Sequence, residues 1–299
     1  MPTLKRPTDA IGKQANGKRV RVVHRRDVIT GGLSLAALVV LGAQARAEAT
    51  LSGKLVQGAL IRGRTEPGAR VSIDGRRLAV SEDGQFAFGF AYNQVKRTTL
   101  KIVLTDGSTE ERPIEPEKRE YKVQRISGLP GKLVDPPADV LARIARENKL
   151  IGAARAHDTQ KAWFAQDFGW PVTGTITGVY GSQRILNGVP KQPHFGVDIA
   201  APEGRAIRAP ADAVVAMAEE DLYFTGGTMI LDHGHGVSTS YLHMSRLDVK
   251  VGERMGKGDV IGAVGKTGRA TGPHLCWRLN WFQERLDPAL VVPPMPEKR

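Results

Sequence analysis

The sequence predicts a mainly β chain, built as two β-rich parts joined by one helix. Short alternating apolar runs, separated by turn signals, fill residues 50–125. Apolar residues at helical spacing follow Asp135. From Trp170 onward glycines recur at 174, 178, 181, 188 and 196, at 226, 227, 234 and 236, and from 252 to 272, a density that suits tight turns and close strand packing and not helix.

Residues 1–47 read as an export signal. Arg25 and Arg26 precede an apolar run from Ile29 to Ala43, and small residues recur at Ala43, Ala45, Ala47 and Ala49. A basic region, a short apolar stretch and an Ala-x-Ala site are removed together, so the mature chain should begin between residues 46 and 50. The paired arginines, with an apolar stretch diluted by Gly31, Gly32 and Ser34, favour the twin-arginine route. An uncleaved membrane anchor is the alternative, but the run falls short of the roughly 20 residues a span requires. The expected location is therefore the periplasm or cell envelope.

Charge and cysteine usage narrow the classes. The net charge is +12, yet residues 1–47 hold nine Lys/Arg and two Asp/Glu, which leaves 34 basic and 29 acidic residues beyond them. That modest excess suits an envelope protein near anionic wall polymers, and no basic block with interleaved aromatics points to nucleic acid. The single cysteine, Cys276, excludes an intramolecular disulfide in a compartment where paired cysteines are usual.

In residues 50–125, Val71 and Ile73, then Phe86, Phe88 and Phe90, then Leu100, Ile102 and Leu104 alternate with polar or small neighbours, giving each strand one buried face. Turns are marked by Thr65-Glu66-Pro67-Gly68, Asp74-Gly75, Asp83-Gly84 and Asp106-Gly107. The stretch from Gly63 to Phe88 resembles the small Ig-like sandwich modules appended to bacterial envelope proteins, which implies a spacer or a docking module for an envelope partner. Residues 126–165 read as linker and helix: Gly128, Pro130, Gly131, Pro136 and Pro137 for the linker, Asp135 as N-cap, and Val140, Leu141, Ile144 and Ala145 on one face of a helix reaching about Phe164. With about 250 mature residues, each β-rich part has room for its own core. The second part is placed at 166–291, with a tail at 292–299.

That second part carries the chemistry. His194 and Asp198, four apart on an extended segment, point to one side. Strand alternation puts Tyr241 and His243 on one face, and His274 and Cys276 on one face with Leu275 opposite. The spacing is that of a zinc site with two acid/base histidines, since a zinc hydrolase needs three protein ligands and one open position.

Pro193-His194-Phe195-Gly196-Val197-Asp198-Ile199-Ala200, Asp232-His233-Gly234, Tyr241-Leu242-His243-Met244 and Gly272-Pro273-His274-Leu275 together resemble the lysostaphin-type, LytM-like zinc endopeptidases that cut peptide cross-links of bacterial peptidoglycan. The resemblance implies one Zn2+ per chain with His194 and Asp198 as ligands, His243 and His274 as the catalytic histidines, and peptidoglycan stems or cross-bridges as substrate. It also places a third ligand, normally the second histidine of a His-x-His motif, at Cys276. A thiolate is a good zinc ligand, so a His/Asp/Cys site is expected. The alternative is an impaired domain that binds peptidoglycan or activates other hydrolases. A carrier domain is a remoter alternative, from the Gly-rich turns between Val251 and Gly268, and lacks a recognisable modification lysine.

Other features read as structural. His233-Gly234-His235-Gly236 lies between apolar runs and is expected to be a hairpin turn. Lys266-Thr267 is not a phosphate loop, because Val260 stands where glycine is required. Trp277 and Trp281 are core or groove wall, and His157 is solvent-exposed. Tyr180, Ser182, Arg184 and Asn187 fall where a groove wall is expected, with roles open.

Overall fold

The alternating run from Thr50 to Ile114 folds as seven strands: β1 (Thr50–Ser52), β2 (Leu60–Arg64), β3 (Arg70–Ile73), β4 (Arg76–Leu78), β5 (Gln85–Gly89), β6 (Thr98–Val103) and β7 (Thr109–Ile114). This is a computed structural model, and it describes residues 49–296. The strands form a three-stranded sheet, β1-β2-β5, and a four-stranded sheet, β4-β3-β6-β7, both antiparallel. Val71, Ile73, Phe86, Phe88, Leu100 and Ile102 are buried, as the alternation requires. Gly63 permits this packing, since a Cβ there would lie 2.1 Å from the Phe86 ring.

Ordered structure runs from the end of the first β-rich part through the stretch read as a linker: strand β8 (Val123–Ile126), a short helix α1 (Gly131–Val134) and helix α2 (Ala138–Arg155). Asp135 closes α1, and α2 starts behind Pro137, so the cap lies two residues beyond the expected Asp135. Helix α2 stops at Arg155, short of Phe164, which lies in a separate 3-10 turn at Trp163–Ala165. Asp139 in its first turn and Arg155 in its last complement the helix dipole.

Twelve further strands follow: β9 (Thr175–Gly178), β10 (Gln183–Leu186), β11 (Val189–Pro190), β12 (Val197–Ala200), β13 (Ala206–Arg208), β14 (Ala213–Leu222), β15 (Gly226–Asp232), β16 (Val237–Leu247), β17 (Arg254–Met255), β18 (Val260–Val264), β19 (His274–Trp281) and β20 (Glu284–Leu286). Most join one sheet in the order β17-β14-β15-β16-β19-β12-β9, with β18 beside β16 and β20 beside β19. β10 pairs with β11 and, in parallel, with β8, so the segment entering the expected linker becomes a sheet strand beside this region.

A single apolar cluster runs through both β-rich parts, from Ile61, Phe86 and Phe88 to Ile199, Tyr241, Trp277 and Leu286. The expectation of two separate cores is thus replaced by one continuous core. Gly89 marks the junction, where a Cβ would sit 2.8 Å from the Leu286 side chain. Helix α2 lies on β14 and β15, and a small cluster of Ala154, Ala216, Met217, Leu222 and Ile230 fixes its C-terminal end. Beyond that cluster Arg155 is buried near Arg278 and Arg285, whose cross-strand neighbours are Ser240 and Asn280, and Asn280 in turn stands opposite Ser238. Arg155 Nε, Ser238 Oγ, Ser240 Oγ, Arg278 Nε, Asn280 Oδ1 and Arg285 Nη1 have no protein hydrogen-bond partner there. The export signal lies outside the described residues. Among the described residues, no helix is long and apolar enough to cross a membrane.

Candidate metal centre

Strand pairing builds the centre. In β12 and β19, Asp198 stands directly opposite Cys276 and Ala200 opposite His274, and residues directly opposite share a face of the sheet. His194, just before β12, is held by its own backbone: its N–H donates to the Ser182 carbonyl at 2.8 Å, and its carbonyl accepts from Gly181 N–H at 2.7 Å. Its ring then meets the other two groups. His194 Nε2 lies 3.1 Å from Asp198 Oδ1 and 3.3 Å from Cys276 Sγ, and the three ligand atoms all fall within 4.8 Å of one another. Two glycines let the strands close around them. A Cβ at Gly178 would sit 2.4 Å from Asp198 Oδ2, and one at Gly196 would sit 2.7 Å from the Trp277 carbonyl and 3.3 Å from Cys276 Sγ.

Arg184 secures the carboxylate by donating from Nη2 to Asp198 Oδ2 at 2.7 Å. Burial alone would raise the Asp198 carboxyl, but His194, Arg184 and His274 outweigh it and hold the group well below the usual carboxylate range. Burial lowers His194, against the pull of Asp198, so the imidazole is disposed to be neutral. Burial, reinforced by Asp198, pushes the Cys276 thiol up to about 12, although Arg278 donates to it. Cys276 is therefore a thiol until a cation takes the place of its proton.

The donor set fits zinc. Atoms 3.1 and 3.3 Å apart are near the spacing of ligands around a tetrahedral ion with bonds of about 2.0–2.3 Å. Asp198 Oδ1 is buried and out of line for a hydrogen bond with His194, so it is an acceptor that an ion would satisfy.

His243 and His274 stand beside this set with ring centroids 4.8 Å apart. The strand-alternation expectation for His243 is corrected. Tyr241 points into the core opposite Trp277, whereas His243, at φ 66°, leaves the strand pattern and reaches the site. His243 Nδ1 lies 2.8 Å from the Thr267 carbonyl, and His274 Nδ1 lies 2.8 Å from the Gly272 carbonyl. A carbonyl only accepts, so Nδ1 of each ring is the donor, and a ring in this tautomer presents its lone pair at Nε2. Burial, with neighbouring His274, lowers His243 to about 3. His274 Nε2 is 3.8 Å from Asp198 Oδ1.

All five expected site residues therefore come together, and several unexpected ones join them. Arg184 had been placed only on a groove wall, and Thr267 lay in a discarded loop. Nothing in the local spacing marked Arg278 or Arg269. Tyr180, Ser182 and Asn187 are structural, donating to the carbonyls of Arg285, Val179 and Leu129. Trp277 and Trp281 are core, and His157 is exposed. His233 to Gly236 form the expected hairpin turn, with Gly234 and Gly236 at positive φ.

His243, His274 and Asp198 open onto a cleft of about 300 Å³. Its other walls are Gln124 and Ile126 from β8, Leu129 just after it, Arg184 and Leu186 from β10, and the Arg269–Pro273 loop.

Residues 192–288 match the model of Peptidase family M23. Over 104 residues the chain is 39% identical to the DD-carboxypeptidase/endopeptidase Mpg of Neisseria meningitidis serogroup B, covering 35% of this chain and 24% of that protein. Over 98 residues it is 41% identical to the peptidoglycan DD-endopeptidase ShyA of Vibrio cholerae, covering 32% and 23%. The chain thus spans about a quarter of the length of these curated relatives. A Pseudomonas aeruginosa crystal structure assigned to peptidase M23 superposes with a TM-score of 0.62 at 27% identity, over 80% of this chain and 95% of that one. That likeness extends over more of the chain than the matched domain.

Proposed function

We propose that this chain, whose residues 192–288 form a Peptidase M23 domain of the lysostaphin and LytM type, is a zinc-dependent endopeptidase that hydrolyses peptide cross-links of bacterial peptidoglycan. The observation that carries the reading is the convergence of His194 Nε2, Asp198 Oδ1 and Cys276 Sγ beside two histidines that both offer Nε2 to one cleft. His194, Asp198 and Cys276 would hold one zinc ion. When bound, the ion supplies Lewis acidity to the scissile carbonyl and lowers the pKa of water.

The chain's own groups do the rest. Arg184 fixes Asp198 through Oδ2 and leaves Oδ1 facing His194. The Thr267 and Gly272 carbonyls hold the His243 and His274 rings in the tautomer that accepts a proton at Nε2. One histidine takes the proton of the attacking water and the other returns a proton to the leaving amine. In this reading residues 50–125 are an Ig-like spacer or docking module for an envelope partner, and the chain is exported with residues 1–47 removed. Periplasmic material still beginning at Met1 would contradict that export.

Cys276 provides the test. Purified protein should hold about one zinc per chain. Cys276→Ala should bind it far more weakly, and Cys276→His should retain both metal and peptidase activity. Cobalt substitution reads the ligand directly, because thiolate ligation gives a near-ultraviolet charge-transfer band that imidazole does not. Wild-type protein without zinc, whose peptidoglycan binding survives chelation, would replace the enzyme with a binding module.

A further inference from the structure

The cleft holds a positive charge that the proposed chemistry does not use. Arg184 is committed to Asp198 and Arg278 to Cys276. Arg269, on the cleft wall with His243 and His274, has neither kind of partner. Its Nη1 donates to the Leu133 carbonyl at 3.0 Å, and its guanidinium lies over the Phe224 ring at 4.6 Å. Among the described residues no carboxylate forms an ion pair with it; Asp198, which lines the same cleft, is paired with Arg184. Burial, with the neighbouring charges of Arg184 and Arg278, lowers it to about 10.

This guanidinium is held in place before any ligand arrives. The Arg269 backbone N–H donates to the Phe224 carbonyl at 2.8 Å, and Gly268, at φ 67°, packs where a Cβ would lie 2.5 Å from Gly226 N. The cleft also has an apolar wall, with Ile126, Leu129 and Leu186. A planar, half-buried fork with unused donors, set against an apolar wall, has the form of a carboxylate site, because guanidinium and carboxylate pair through two parallel hydrogen bonds.

We infer that Arg269 binds a carboxylate that the substrate peptide carries beside the scissile bond, and so selects acidic over amidated peptides. The inference rests on the peptidase reading of the cleft. The carboxylate belongs either to a side chain or to the free end of the peptide.

The test is calorimetry of the zinc-loaded mature protein with three short synthetic peptides of the cross-link: the parent, its side-chain amide and its C-terminal amide. One amide should bind about 10- to 100-fold more weakly than the parent, as a charge-assisted hydrogen-bond pair is lost. Which amide it is identifies the source of the carboxylate. In Arg269→Gln all three peptides should bind equally and weakly, with zinc content unchanged, and Arg269→Lys should restore only part of the discrimination. Equal binding of the three peptides by wild type, no binding at all, or discrimination that survives in Arg269→Gln would overturn the inference. Discrimination without cleavage would uphold the carboxylate site and remove the peptidase reading. Cleavage without discrimination would do the reverse.

Discussion

His243 reaches the site because its backbone leaves the strand pattern. At φ 66° it occupies the left-handed region that non-glycine residues seldom visit, and this turns its ring away from the core that Tyr241 enters. Period-two alternation could not show this, since it describes regular strands and the β15–β16 pairing shifts register between Gly227 and Met229. The ligand residues were legible because they sit in short motifs whose spacing is itself the chemistry. Arg184 and Thr267 were not, because a contact across a sheet or between loops leaves no local pattern. His243→Ala or His274→Ala should lower turnover by about a hundredfold or more while zinc stays bound, the usual size of general acid/base assistance. Loss of zinc from either variant, measured by metal analysis, would make that histidine a ligand instead.

At the scale of elements, the β15–β16 hairpin links its turn to the interior through His233. Its ring is fully buried, with Nδ1 2.8 Å from the Asp212 carbonyl and Nε2 2.8 Å from Thr239 Oγ1. Burial lowers its pKa from 6.5 to about 4. The unfolded chain therefore binds this proton more readily than the folded one. The resulting stability is complete above about pH 6.5 and is lost as pH falls through 4, an amount of roughly 3 kcal/mol. Denaturant unfolding should show this decline, and His233→Gln should have a shallower one between those pH values. An unchanged slope in the variant would assign the acid sensitivity to the other buried histidines, His194, His235 and His243, whose pKa values are also lowered. The turn itself was readable from its glycines. The strand β8 was not, because proline and glycine at 128–137 describe local stiffness and breaks, whereas its pairing with β10 joins residues about sixty positions apart.

At the scale of the whole molecule, alternation correctly showed which face of each strand is buried, but not what covers it. That is why two cores were expected and one continuous cluster is found, with Gly89 and Leu286 at the junction. Helix α2 is attached on different terms. Apart from Ala154 and its few apolar neighbours, its buried side chain is Arg155, set near Arg278 and Arg285, and Arg155 Nε, Arg278 Nε and Arg285 Nη1 have no protein partner. Buried polar groups without partners favour states that admit water. The helix should accordingly be a separate low-energy opening unit, detaching while the β15, β16 and β19 ladder stays closed. In native-state hydrogen exchange its amides, from about Val140 to Arg155, should lose protection well before those of Met229–Leu231 and Thr239–Leu242. Equal protection of the two sets would mean that helix and sheet open only together.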